Sequence, residues 1–235
     1  MGERGYWDGF GAPSNVDWCE PNYVYSTYVA EWWNTWSSFA IVALAVVVLL
    51  RARRLPWKAK PRFAAAAFAV AVVGLGSALF HGTLLRVSQA ADELPMIYTG
   101  LTFVYALAAR RSSVRRGVAS ALAGYGVAFT VAYVAFAEWF QFFIVSYALI
   151  VAYIVARTGA LSLRGDGDRR RWFFVAVLAY VGGFAVLWVP EHLVLACDHP
   201  LQALQLHALF HLTSAVGSCA WVEWALVDWR LESAR

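Results

Sequence analysis

Charged side chains are scarce in this sequence, at 14% of 235 residues against 61% hydrophobic, which is far from the composition of an ordinary soluble domain. Polar globular stretches are missing as well. The charges gather in short runs between long apolar segments, which leaves no room for a second, soluble domain and favours a single bundle. Residues 1 to 30 are polar and aromatic and lack a basic start, a short apolar core and a small-residue cleavage site. No cleavable signal peptide is therefore expected, and the first apolar stretch serves as its own targeting signal. There is no internal repeat and no low-complexity tail. Cysteine is limited to three residues, whereas tryptophan is abundant at 12. The net charge of +4 could suggest nucleic acid, but membrane topology and anionic headgroups account for it, so no nucleic-acid partner is expected.

About 20 residues at 1.5 Å rise cross roughly 30 Å of hydrocarbon. Seven stretches meet that length: 33–50, 63–84, 90–109, 114–136, 139–156, 172–190 and 204–227. The fold expected is an all-α, seven-transmembrane helix bundle, with a tight helical hairpin near Glu138. Basic residues set its orientation. The first loop holds Arg51, Arg53, Arg54, Lys58, Lys60 and Arg62; the third holds Arg110, Arg111, Arg115 and Arg116; the fifth holds Arg157, Arg164, Arg169, Arg170 and Arg171. With Arg230 and Arg235 in the tail, 17 of the 19 basic residues fall on one side and only Arg4 and Arg86 on the other. That side is cytoplasmic by the positive-inside rule. Residues 1–32 then form an extracytoplasmic segment, 33–229 the bundle and 230–235 a cytoplasmic tail.

On this topology Cys19 and Cys197 both lie on the extracytoplasmic side, where disulfides persist. A Cys19–Cys197 bridge is expected, although two unrelated thiols remain the alternative because sequence gives no distance. Cys219, inside the seventh span, reads as a small packing residue.

Three histidines interrupt the apolar sequence: His81 near the outer end of the second span, and His207 and His211 near the outer start of the seventh. Ionisable side chains at membrane depth are expensive and usually retained for function. Four residues advance about 400° around a helix, so His207 and His211 share one face. Three neutral imidazoles make the protein half of an open zinc site, with water in the fourth position. Hydrogen-bonded packing is the bland reading; a haem pair suits the i, i+4 spacing less well than one compact ion. Ser77 stands in the same i, i+4 relation to His81. Asp92 and Glu93, with Pro95 after them, open the third expected span, where a helix start favours a carboxylate. Asp92 is the better acid/base candidate, a choice that periodicity does not decide. Asp17, Glu20, Asn22 and Glu31 offer the hard oxygen donors that calcium requires, while Asp17-x-x-Glu20 also reads as a helix cap.

These residues carry a resemblance. The segments Gly74-Leu-Gly-Ser-Ala-Leu-Phe-His81-Gly-Thr-Leu, Gln89-Ala-Ala-Asp92-Glu-Leu-Pro-Met-Ile-Tyr98 and Leu206-His207-Ala-Leu-Phe-His211-Leu-Thr-Ser-Ala-Val-Gly217-Ser resemble those of the alkaline ceramidases. So do Gly5-Tyr-Trp, Asp17-Trp-Cys-Glu-Pro-Asn-Tyr23 and Glu31-Trp-Trp-Asn34, in order from about residue 5 to 220. The resemblance implies a seven-span hydrolase that cleaves the amide of ceramide to a sphingoid base and a free fatty acid. It also implies zinc on His81, His207 and His211, Asp92 as acid/base and Ser77 as oxyanion donor. Calcium would be held by Asp17, Glu20, Asn22, Glu31 and the Trp18 carbonyl. The substrate is a membrane lipid, and the location implied is the endoplasmic reticulum or Golgi membrane in a eukaryote and the plasma membrane otherwise. One departure lies between the last two histidines, where Ala208, Leu209 and Phe210 replace the family's aromatic residues and leave acyl-chain preference open. A seven-span receptor of the progestin and adipoQ type shares the histidine arrangement but runs in the opposite orientation. A metal transporter fits less well, because no polar path continues across the other leaflet.

Overall fold

The computed structural model describes residues 5–52, 60–108, 115–136, 138–163 and 167–233. Arg4, Arg53, Arg54, Lys58, Arg110, Arg111, Arg164 and Arg235, used above for orientation, lie outside the described residues. The described chain is helical and contains no strand beyond an isolated antiparallel bridge between Pro13 and Leu85. Its long helices are α1 (Trp32–Ala52), α2 (Lys60–Thr83), α3 (Arg86–Ala108), α4 (Arg115–Ala135), α5 (Phe140–Leu163), α6 and α7 (Leu206–Ser233). α6 begins as an α-helix over Gly167–Ala176 and continues through wide π turns over Val177–Gly182, Phe184–Trp188 and Pro190–Val194.

Five of these, α1, α2, α4, α5 and α6, are long and apolar enough to cross a membrane on length and composition alone. α3 and α7 are long but more polar, for a physical reason: they carry Asp92, Glu93, His207, His211 and Asp228, all buried. The surface is correspondingly apolar. Phe68, Leu75, Val127, Val131, Leu149, Leu178 and Val186 stand exposed, a pattern that suits lipid rather than water. α1 packs on α2 and α7, α3 on α2, α4 and α5, and α6 on α5 and α7. The expected hairpin is present, with only residues 136–139 between α4 and α5. α5 runs to Leu163, well beyond position 156, because its extra turns are packed: Thr158 and Ser162 are fully buried, and the Trp224 indole donates to Ser162 Oγ at 2.7 Å.

One expectation fails in α3. The helix starts at Arg86, so Asp92 and Glu93 lie inside it and Pro95 deeper still, and its first turn holds no acid. The dipole reading of Glu93 therefore gives way to a buried network. Its carboxylate accepts from Tyr133 Oη at 2.6 Å and from Gln89 Nε2 at 2.7 Å. The early start has a local cause: Leu84, in a left-handed conformation (φ 49), turns the chain between α2 and α3.

The N-terminal segment is pinned across that turn. Ser14 N–H donates to Leu84 O at 2.8 Å and Arg86 N–H to Ala12 O at 2.8 Å; Glu31 N–H reaches His81 O at 2.9 Å. The Cys19–Cys197 disulfide joins the same segment to the stretch after α6. Cys219 is free and partly buried against Val48, Phe63, Ala67 and Val222.

Candidate metal centre

α2 delivers His81 and the first turns of α7 deliver His207 and His211 to one buried point, where a ligand atom from each lies within 4.8 Å of the others. Among the described residues this is the cluster able to hold a metal ion. Ring centroids are 4.6 to 5.0 Å apart. All three imidazoles are buried, and their outer nitrogens are differently employed. His81 Nδ1 donates to the Glu31 carboxylate. His211 Nδ1 faces Ser37 Oγ at 2.8 Å and Ser38 Oγ at 3.3 Å; because both hydroxyls donate to the Asn34 carbonyl, they accept from the ring. These bonds leave the Nε2 lone pairs of His81 and His211 free for a metal, the donor set of a zinc site. His207 Nδ1 has no partner.

The histidines share a cavity of about 100 Å³ with Ser77 and Asp92. Ser77 Oγ lies 3.0 Å from Ser38 Oγ and 3.5 Å from His211 Nε2, on the metal side of the ring. Asp92 comes close because α2 and α3 nearly touch: a Cβ on Gly76 would sit 2.0 Å from the Ala91 carbonyl oxygen. Phe140, Phe143, Ile144, Met96 and Phe210 make much of the remaining wall apolar, while Glu93, Thr99, Tyr147, Tyr180 and Ser214 also line it. Trp18 closes it from outside, stacked on His207 with centroids 3.7 Å apart. The sequence assigns Trp18 only a carbonyl, and nothing in it marks Ser37, Ser38 or the contact of Glu31 with His81.

The acidic residues of the N-terminal segment are mostly spoken for. Glu20 caps α1, accepting from the Trp33 and Asn34 N–H groups at 2.6 and 2.9 Å. The Asp17-x-x-Glu20 pattern starts no helix of its own; Glu20 caps α1 instead. Glu31 accepts from Trp18 N–H at 3.0 Å and Asn34 Nδ2 at 3.1 Å, and Asp17 accepts from Asn22 Nδ2 at 3.1 Å. Burial raises the Glu20 carboxyl above its ordinary range, with Glu31 adding repulsion, and burial with Asp17 nearby pushes Glu31 up to about 8. The Asn34 side-chain oxygen Oδ1 beside them is buried with no donor.

Fold and site together define a class: a helical, multi-pass membrane protein with three converging imidazoles at one end of its bundle. Comparison narrows it. Residues 11–232 match the family model described as Ceramidase. The chain is 31% identical to mouse alkaline ceramidase 3 over 235 aligned residues, covering 92% of this chain and 83% of the relative. It is 34% identical to the alkaline ceramidase of Arabidopsis thaliana (88% and 81% covered) and 26% identical to a putative alkaline ceramidase of Dictyostelium discoideum (92% and 87% covered). The chain belongs to the ceramidase family.

Proposed function

We propose that this protein is an intramembrane amidase that hydrolyses ceramide to a sphingoid base and a free fatty acid. The observation that carries the reading is the shared cavity of His81, His207, His211, Ser77 and Asp92 in a chain of this family. The three histidines would hold zinc, which when bound supplies Lewis-acid polarisation and a lowered pKa for water. Ser77 rests as a donor to Ser38, whose own proton goes to Asn34. On arrival of the amide carbonyl it turns to donate to the oxygen as negative charge develops there, where a preorganised donor counts most. Asp92 takes a proton from the attacking water and returns it to the departing nitrogen, so that the C–N bond breaks to an amine and a carboxylic acid. The apolar wall and the Trp18 cover keep bulk water from this exchange, and a substrate with two lipid chains presents its amide from within the bilayer.

The same reading places seven crossings in the membrane, with the N-terminus outside and, in a eukaryotic cell, in the endoplasmic reticulum or Golgi membrane. Calcium on Asp17, Trp18, Glu20, Asn22 and Glu31 is part of it too. Two features support that site: mutually repelling carboxylates and the unpartnered Asn34 Oδ1 are what a hard cation would relieve.

Hydrolysis of a fluorescent ceramide by the purified protein tests the function. Turnover should vanish in His81→Ala and Asp92→Asn, and His207→Ala should lose zinc while its helices stay inserted. Full activity with stoichiometric zinc in His207→Ala would refute the metal assignment. For calcium, Glu31→Ala is a poor probe because it also frees His81. Asp17→Asn and Glu20→Gln are cleaner, and unchanged calcium dependence in both would reduce the cluster to a cap.

A further inference from the structure

We infer that Glu191 is a positioning residue for His207, the counterpart of what Glu31 is to His81 and Ser37 to His211. The inference rests on the zinc reading above. Of the three imidazoles, two have their Nδ1 engaged, and His207 alone has a buried Nδ1 with no hydrogen-bond partner. The carboxylate facing it is Glu191, whose Oε2 lies 3.9 Å away and is itself buried without a partner. A buried donor and a buried acceptor left open toward each other is an unstable arrangement, because each unmet group costs on the order of 1–3 kcal/mol. Closing the gap by about 1 Å would satisfy both at the usual N–H···O distance.

The surroundings are built for this contact. Glu191 follows Pro190 in the last π turn of α6, and Leu195 then leaves the helix in an extended conformation. π turns rotate a side chain off the face that an α-helix would give it, and recur where function needs that rotation. Here Glu191 is 5% exposed, while the adjacent Leu193 and Val194 are turned outward. The backbone N–H groups of Cys19 and His207 lie near the carboxylate, and Cys19 is tied to Cys197. Trp18 lies flat on the His207 ring. The ring is thus clamped on its face by Trp18 and aimed from its edge by Glu191. A carboxylate on the outer nitrogen of a metal-bound histidine fixes its tautomer and makes it a better donor, and removing one typically weakens metal binding by about 10- to 100-fold.

The test is zinc affinity of the purified full-length protein, measured by metal analysis after equilibration with graded chelator. Wild type, Glu191→Gln and Glu191→Ala are compared, together with the melting temperature of each zinc-free protein. Gln keeps an oxygen acceptor for the Cys19 N–H but loses the negative charge, so a purely structural role predicts wild-type zinc affinity for it. Positioning predicts about a 10-fold loss in Gln and up to about 100-fold in Ala, with zinc-free Gln melting like wild type. Wild-type affinity in Glu191→Gln would overturn the inference even if Glu191→Ala fails to fold. Zinc missing from the wild type would instead refute the metal reading, and the inference with it.

Discussion

Of the three serines that reach the His211 imidazole, Ser37 and Ser77 should fail differently when removed. Ser37 meets His211 at Nδ1 (2.8 Å), whereas Ser77 sits 3.5 Å from Nε2, on the side where substrate would enter. Ser37→Ala is expected to weaken zinc binding by about 10-fold, the lower end for loss of an outer hydrogen bond, since Ser38 remains at 3.3 Å. Ser77→Ala should retain zinc and lose about 10²–10³ in kcat with little change in KM, as for removal of one oxyanion donor. Metal analysis and steady-state kinetics on both variants check the split; zinc loss in Ser77→Ala would assign it to the metal site instead. At this scale the sequence exposed the residues whose type was out of place, namely imidazoles in apolar helices. It hid their partners, because Ser37, Ser38 and Glu31 are ordinary choices around the start of α1, and only folding brings them beside His81 and His211. Glu191 was hidden for a related reason, since its inward aim depends on π turns that helical periodicity does not foresee.

Helix contacts carry the second kind of prediction. Pro95 has no N–H, so the Ala91 carbonyl one turn earlier in α3 loses its helical donor, and this is the oxygen that Gly76 approaches from α2. A methyl at Gly76 would meet that backbone atom at 2.0 Å, too close for any rotamer change to relieve. Gly76→Ala must therefore push α3 away and carry Asp92 with it. The expected cost is at the upper end of the roughly 1–3 kcal/mol typical of overpacking, with turnover falling by at least about 100-fold, as for a misplacement near 1 Å. Gly124, with nothing within 4 Å of its added methyl, is the control and should tolerate alanine in both thermal unfolding and activity. Helix existence was legible from apolar run length. The start of α3 was not, because the left-handed Leu84 gives no warning in sequence and the largely polar residues 86–89 read as loop, while Arg86 and Gln89 are hydrogen-bonded to the N-terminal segment and Gln89 also to Glu93.

For the whole molecule the disulfide imposes a parity. Cys19 precedes α1 and Cys197 follows α6, and a bond between them requires both on one side of the membrane, hence an even number of crossings between. The five helices apolar enough to cross unaided all lie in that interval, and five is odd. On the proposed topology α3, which turns Asp92, Glu93 and Gln89 inward, is the remaining long helix in the interval and would supply the sixth crossing. α7 would then start on the disulfide side, with His207 and His211 in its first turns, and its length over Leu206–Ser233, about 40 Å at 1.5 Å per residue, would suffice to cross. A glycosylation acceptor fused before residue 5 should be modified in the secretory membrane, and one fused after residue 233 should not. Modification at both ends would mean that α7 folds back without crossing. Reduction completes the test: Cys19→Ser should cost about 2–4 kcal/mol and release the Trp18 cover from His207, so that zinc is lost to chelator faster than from wild type. Unchanged zinc release would show that the N-terminal segment holds its place through the α2–α3 turn alone.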